Sequence, residues 1–344
     1  MANELIAVTI LWGFVFIYAV MATMDFGAGF WSMVYLNRNK AEATNIANRY
    51  LSPTWEVTNT FVVALVVAIY SLFPGLAFSL GTILLVPGSI ILLLLAIRSA
   101  FLVFSYVADD YRKALTYTSG ITGLIIPGLL MSVLPISHGA FVDFTDGETL
   151  NLVALFTSPN LYAFVGFAIS STLFLSSLLL ADYSKAADEL EPYYIYRRNS
   201  MILGPIALFM GLLVMWTLRT EANWLYNGMM DNLALLIASV LLFILGGLAI
   251  YLPKDKNGIK GYPRLAVVAV VIQYLTASYV YGSAHLPYFI YPELTIYEGF
   301  TDPNSFKAVF VMYIVGFLIL FPGFFYFWKL FMKDKEGLKR SEDH

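Results

Sequence analysis

Cysteine is absent from the 344 residues, which excludes disulfides, thiolate metal sites, iron–sulfur clusters and thiol catalysis within the chain. Histidine is almost absent, with only His138, His285 and His344. Charge is scarce as well: Asp, Glu, Lys and Arg make up 12% of the chain, against about 25% in a soluble domain. The 20 Lys and Arg residues are balanced by 23 Asp and Glu, with no extended basic face, which argues against nucleic-acid binding and against disorder. There is no P-loop, nucleophile elbow or histidine-metal motif. The opening Met1-Ala2-Asn3-Glu4 carries no basic segment, so the first apolar run is expected to be a retained membrane helix and not a cleaved signal peptide.

What is abundant is apolar surface. Hydrophobic residues make up 59% of the chain and the mean hydropathy is +0.74. A water-soluble fold of this composition would expose large greasy patches. The chain is therefore expected to be an all-α integral membrane protein, one polytopic domain over residues 1–344. A spanning helix needs roughly 20 apolar residues. Nine stretches qualify, at about 5–35, 56–73, 76–106, 114–134, 161–182, 200–218, 232–252, 263–283 and 305–331. Ser71-Leu72-Phe73-Pro74-Gly75 predicts a tight turn between the second and third. Pro87, Pro127 and Pro205 predict kinks. Helices one and five each lead into a basic connection of about 20 residues, a hint of two four-helix bundles plus one extra helix.

Orientation follows from Lys and Arg counted per loop. With the N-terminus outside and the C-terminus cytoplasmic, 17 of the 20 fall on the inner side, Arg219 and Lys307 on the outer side, and Arg98 within a helix. The tail 333–344 reads as a flexible, polar, cytoplasmic extension.

Ionisable groups inside a bilayer are costly and mark candidate sites. Asp25 lies in the inner half of the first helix, and Ala22, Ala28, Gly29 and Ser32 share its face. Such a small-residue face permits close helix contact, so Asp25 is expected to point into protein, either as a proton carrier or as a carboxylate that fixes packing. Glu56, in Pro53-Thr54-Trp55-Glu56, is either the mouth of a proton path or an ordinary acidic helix start. Arg98 sits in the third helix, roughly 13 Å from its inner end at about 1.5 Å per residue. It either snorkels, pairs with Asp25 or Glu56, or meets an anionic cofactor group such as a propionate. His138 and His285 fall in outer connections, expected as solvated or interfacial residues, and no haem or metal site is evident in the chain.

These residues carry a resemblance. The chain is similar to subunit II of the cytochrome bd family of quinol oxidases, in Asp25-Phe26-Gly27-Ala28-Gly29, Trp55-Glu56, Phe73-Pro74, Arg98, Pro292-Glu293-Leu294-Thr295-Ile296-Tyr297-Glu298 and Tyr326-Phe327-Trp328-Lys329-Leu330-Phe331. The matches cover about a third of the chain, at both ends. The family usually has Asp where Glu56 stands, and an Asn and a Trp where Thr58 and Phe61 stand, which points to a divergent, cyanide-insensitive-like subclass.

The resemblance implies a haem-free subunit in a heterodimer. Subunit I would hold two b-type haems, a d-type or third b-type haem, and the quinol site. A small single-helix subunit, membrane lipids and quinone are further partners to expect. The acid after the helix-two Trp is linked in the family to proton delivery from the cytoplasm, which carries over to Glu56 and, less directly, to Asp25. Arg98 and Trp55 would serve as electrostatic anchor or cofactor-propionate contact. The implied location is the cytoplasmic (inner) membrane of a bacterium or archaeon. The alternative is a polytopic secondary transporter, which would place its binding groups near the midplane.

Overall fold

A computed structural model describes residues 2–36, 41–104, 111–145, 147–253 and 258–328. The side chains of residues 2, 41, 51–56, 112, 324, 327 and 328 lie outside the described residues, as does the expected tail 333–344. In chain order the helices are α1 (Ala2–Tyr35), α2 (Ala41–Leu72), α3 (Pro74–Ile83), α4 (Leu85–Phe104), α5 (Arg112–Met131), α6 (Val133–Ser137), α7 (Leu152–Thr157), α8 (Pro159–Ala186), α9 (Leu190–Glu221), α10 (Asn223–Met230), α11 (Leu233–Tyr251), α12 (Pro263–His285), α13 (Ile296–Gly299) and α14 (Pro303–Trp328). Two antiparallel hairpins, β1 (Val142–Asp143) with β2 (Thr149–Leu150) and β3 (Tyr288–Ile290) with β4 (Leu294–Thr295), sit in the two long connections.

Among the described residues, eight helices are long and apolar enough to cross a bilayer. A ninth crossing arises when α2 and α3, bent by 120° at Phe73, are taken together. Helix starts follow the local chemistry. Pro74, Pro159, Pro263 and Pro303 each open a helix, where a missing N–H costs nothing and φ is already set. Ser158 caps α8 by accepting from the amides of Asn160 at 3.1 Å and Leu161 at 3.4 Å. Asp302 caps α14 by accepting from those of Asn304 at 2.9 Å and Ser305 at 3.1 Å.

Packing falls into two groups, α1, α2, α4 and α5, and then α8, α9, α11 and α12, joined where α1 and α5 lie against α8. Most of α8 is buried. Two of its buried hydroxyls bond back along the helix, Ser177 to the Phe174 carbonyl at 2.7 Å and Ser184 to that of Leu180 at 2.7 Å, so these small polar residues sit in an interface with their donors satisfied. The α1–α8 seam adds a bond from the Trp31 indole N–H to Ser176 Oγ at 3.0 Å. The last helix, α14, meets the body through α1 and α2, with Phe317 stacked on Phe14 and Tyr313 tilted against it. Most of its apolar side chains are exposed.

The structure departs from the sequence-based expectations in three places. The helix expected from residue 56 begins at Ala41, so the basic connection before it is largely helical. Arg49 pairs with Glu189 at 2.8 Å and the Tyr196 hydroxyl donates to the Ala43 carbonyl at 2.6 Å. These contacts hold a polar segment in helical form that hydropathy does not register. The helix expected from residue 200 likewise begins at Leu190. The run 76–106 is broken at Leu84 into α3 and α4. Pro87 thus falls in the first turn of α4, where its missing donor is tolerated, and marks a helix start where a kink was expected.

Candidate functional site

Asp25 and Arg98 meet in the core of the first helix group. Both are almost completely buried, at 4% and 2% exposed. Arg98 Nη2 lies 3.0 Å from Asp25 Oδ1, and Nε lies 3.3 Å from Oδ2. Nη2 also donates to the Asp25 carbonyl at 2.8 Å. Nη1 donates to Ser119 Oγ at 2.9 Å and to the Ser119 carbonyl. The guanidinium carbon stands 5.3 Å from the centre of the Phe26 ring. All five guanidinium donors therefore have acceptors on α1 and α5, which is the condition for burying a charge without a large penalty. Of the partners considered for Arg98, the structure brings it to Asp25 and buries it, so it does not snorkel. No donor remains for a cofactor propionate.

Two glycines make the approach possible. A Cβ on Gly29 would lie 3.0 Å from both terminal guanidinium nitrogens, and one on Gly123 would lie 2.5 Å from the Phe26 carbonyl oxygen. Side chains there would push α4 or α5 away from α1. The spacing of Asp25-Phe26-Gly27-Ala28-Gly29 is explained by this geometry: the acid and the gap for its partner's head lie one turn apart. Sequence reasoning missed Ser119. A small-residue run in α5, Ser119-Gly120 and Gly123, was the available signal.

Trp55 and Glu56 belong to α2, but their side chains lie outside the described residues. Their level in the helix is fixed by two cross-helix bonds. The Ser32 hydroxyl donates to Asn48 Oδ1 at 2.6 Å, and the Thr58 hydroxyl to the Met21 carbonyl at 3.4 Å. In this antiparallel pair, position 56 stands opposite positions 23–24, within one turn of Asp25. Glu56 is thus well inside α2, and the reading of it as a helix start is corrected.

The opposite end of the molecule holds a second buried polar cluster. His138 and His285 are 4% and 9% exposed, which corrects the expectation that they are solvated. Asn160 Oδ1 accepts from the Thr217 hydroxyl at 3.0 Å, so its amide nitrogen faces His138 Nδ1 at 3.0 Å as a donor. The remaining nitrogen, Nε2, then donates to the Tyr281 hydroxyl at 2.9 Å. His285 donates through Nδ1 to the Tyr288 carbonyl at 2.8 Å and meets Ser137 Oγ at 3.0 Å through Nε2. Burial, and secondarily the neighbouring His285, pushes His138 down to about 3, so the ring is neutral. Trp224 packs edge-on against His285 and stacks on Tyr291 at 4.2 Å.

Comparison with known proteins places this architecture. A family profile described as cytochrome bd terminal oxidase subunit II matches residues 3–331. The chain belongs to this family. A curated relative from Bacillus subtilis (strain 168), named putative cytochrome bd menaquinol oxidase subunit II, is 60% identical over 342 residues and is covered to 99%, as is this chain. A solved structure of bd oxidase from Geobacillus thermodenitrificans superposes with a TM-score of 0.81 at 36% identity, over 96% of this chain and 99% of that one. The protein is thus a bd-oxidase subunit II, a component of a quinol oxidase and a multi-pass membrane protein. Membership implies a subunit I partner, and haem carried by the complex.

Among the described residues, neither His138 nor His285 is fitted to ligate that haem. Both ring nitrogens of His138 and of His285 are engaged by protein atoms. The buried Met21 and Met24 pack within an apolar cluster. Among the described residues no group of three or more His, Asp or Glu is arranged to hold a metal ion. No step of haem chemistry is therefore assigned to this chain.

Proposed function

We propose that this chain is the haem-free subunit II that braces subunit I and contributes a proton path from the cytoplasm, with Glu56 as the first carrier and Asp25 as the next. The observation that carries the reading is the depth match. Two acidic positions on adjacent helices fall within one turn of each other, in a bilayer core where acids are otherwise excluded. Asp25 is gripped by Arg98 through both carboxylate oxygens, so a proton passing it must be accompanied by loosening of that pair. Arg98 is the electrostatic anchor. Trp55, next to Glu56 in the chain, is the residue proposed to reach a cofactor propionate in subunit I.

The proposed orientation, N-terminus outside and C-terminus cytoplasmic in the inner membrane, is supported by the 17-to-2 division of Lys and Arg. The name of the 60% identical relative supports menaquinol as the reductant of the assembled enzyme. The transporter alternative draws no support from the fold or the family.

The test is oxygen consumption by the assembled complex as a function of pH. Glu56→Gln keeps the shape and removes titration, so it should slow turnover about 10²- to 10⁴-fold if proton delivery limits, with haem content intact. Full activity at every pH would remove Glu56 from the path. Orientation is checked with Asn37→Cys and Ser341→Cys against an impermeant thiol reagent, since no native cysteine interferes. Labelling from outside intact cells would reverse the topology.

A further inference from the structure

We propose that the cleft between the end of α8 and the start of α12 is a binding site for an anionic phospholipid. Its phosphodiester would sit between Lys185 and Arg264, with an acyl chain along the outward face of α12. The cleft has a volume of about 430 Å³ and is lined by Asp182, Lys185, Tyr262, Arg264 and Leu265 among others, a size suited to a small ligand or headgroup. It lies where one spanning helix, Pro159–Ala186, ends and another, Pro263–His285, begins. That is the level of lipid headgroups, on the face that carries most of the chain's Lys and Arg.

The cations in this cleft are held in place. Lys185 Nζ donates to the Gly261 carbonyl at 2.9 Å and stands 5.8 Å and 5.4 Å from the ring centres of Tyr193 and Tyr262. Arg264 is clasped to Asp182 Oδ2 through Nε at 3.2 Å and Nη2 at 3.1 Å, and Nη1 takes no part in that pair. The Arg264 side chain is 72% exposed, the Asp182 side chain 24%. Two cations and one carboxylate leave a single excess positive charge, matching the single negative charge of a phosphodiester. A zwitterionic headgroup would bring a third cation into a cleft already positive.

The second observation is apolar. Leu265, Val268, Ile272, Leu275 and Tyr279 are all exposed, at 56%, 50%, 44%, 38% and 54%. Their spacing of three or four residues places them in one stripe running from the cleft. At about 1.5 Å per residue the stripe is roughly 21 Å long, more than one leaflet's share of a hydrocarbon core about 30 Å thick. Charge at the rim and a continuous apolar track below it is the arrangement that a phospholipid complements and a free anion does not.

The test uses the purified complex with subunit I, delipidated in detergent and titrated with phosphatidylglycerol, phosphatidylethanolamine or inorganic phosphate. Native mass spectrometry counts the bound lipid. The wild-type complex should prefer phosphatidylglycerol over phosphatidylethanolamine by about tenfold. Lys185→Gln/Arg264→Gln should abolish that preference, Arg264→Lys should keep it, and haem content should be unchanged in both. Equal wild-type affinity for the two lipids would overturn the proposal. So would phosphatidylglycerol binding undiminished in the double variant, or displacement of phosphatidylglycerol by millimolar phosphate, which would indicate a site for a free anion. The wild-type ratio needs no variant, so failure of a variant to assemble leaves the proposal exposed to refutation.

Discussion

Replacing Arg98 by Leu isolates the energetics of the α1–α4–α5 junction. The substitution strips Asp25 of its counter-charge and leaves the carbonyl and hydroxyl of Ser119 without the guanidinium that both accept from. Breaking a buried pair by removing one partner costs about 3–5 kcal/mol, two to more than three orders of magnitude in the equilibrium at about 1.4 kcal/mol per tenfold. Arg98→Lys keeps the charge but offers three donors in place of five, so it should lose less than Arg98→Leu, each hydrogen bond not remade being worth about 1.5–3 kcal/mol. Asp25→Asn/Arg98→Leu should cost less than the two single changes combined, because no uncompensated charge remains. The assay is the thermal midpoint of the detergent-solubilised complex, with haem per complex recorded in parallel as a measure of assembly. The expected order of midpoints is wild type, then Lys, then Leu, with the double variant above the sum of the singles. Wild-type midpoints and haem content for both Arg98→Leu and Arg98→Lys would refute the assignment of this pair as an anchor, as would strict additivity in the double variant.

Further outcomes follow from other parts of the molecule. Gly123→Val should force α5 from α1, since even a Cβ there meets a backbone oxygen at 2.5 Å; overpacking of this kind costs about 1–3 kcal/mol, and unchanged stability would mean the helices have slack. His138 is pushed down to about 3 in the folded state by burial, and then by His285, against about 6.5 when exposed. Between those values the unfolded chain takes up a proton that the folded chain does not, so stability is complete above about pH 6.5 and declines below it, by up to about 1.4 kcal/mol per pH unit. Melting the complex at pH 7.5, 6 and 5 should show a steeper decline in wild type than in His138→Gln, and parallel curves would contradict the neutral-histidine assignment. The chain expressed without subunit I should show no stoichiometric Soret band, and a band traceable to one of its own side chains would overturn the exclusion of its histidines as ligands.

The sequence announces its membrane spans because hydropathy is a local sum, and a bilayer demands about 20 apolar residues wherever it is crossed. It is silent where helices continue into water. Residues 41–56 and 190–199 contain Asn, Arg, Glu and Pro in proportions that resemble a loop, and they are helical through contacts between segments some 140–150 residues apart, such as Arg49 with Glu189 and Tyr196 with Ala43. The same divide runs through the site. Asp25 and Arg98 were legible as rare opposite charges at similar depth. Ser119 was not, because a hydroxyl in a membrane helix ordinarily satisfies itself on its own backbone. The histidines misled for a related reason. Nearness to a helix end suggests exposure, but Trp224 arrives from α10 to cover His285 and Tyr281 from α12 to meet His138, 143 residues away.

The pairing of Asp25 with Arg98 also has a consequence for biosynthesis. The two residues are separated by 73 positions. At about 5–20 residues per second, a ribosome places Asp25 in the translocation machinery roughly 4–15 s before Arg98 is made. For that interval the first helix carries a carboxylate with no guanidinium to meet it, and the segment that follows, α2, offers none among its described membrane residues 57–72. The junction can therefore close only after α4 and α5 have been inserted. The earliest part of the chain to be made is among the last to reach its final contacts, and a nascent chain arrested before residue 98 should hold its first helix less firmly than the finished protein does.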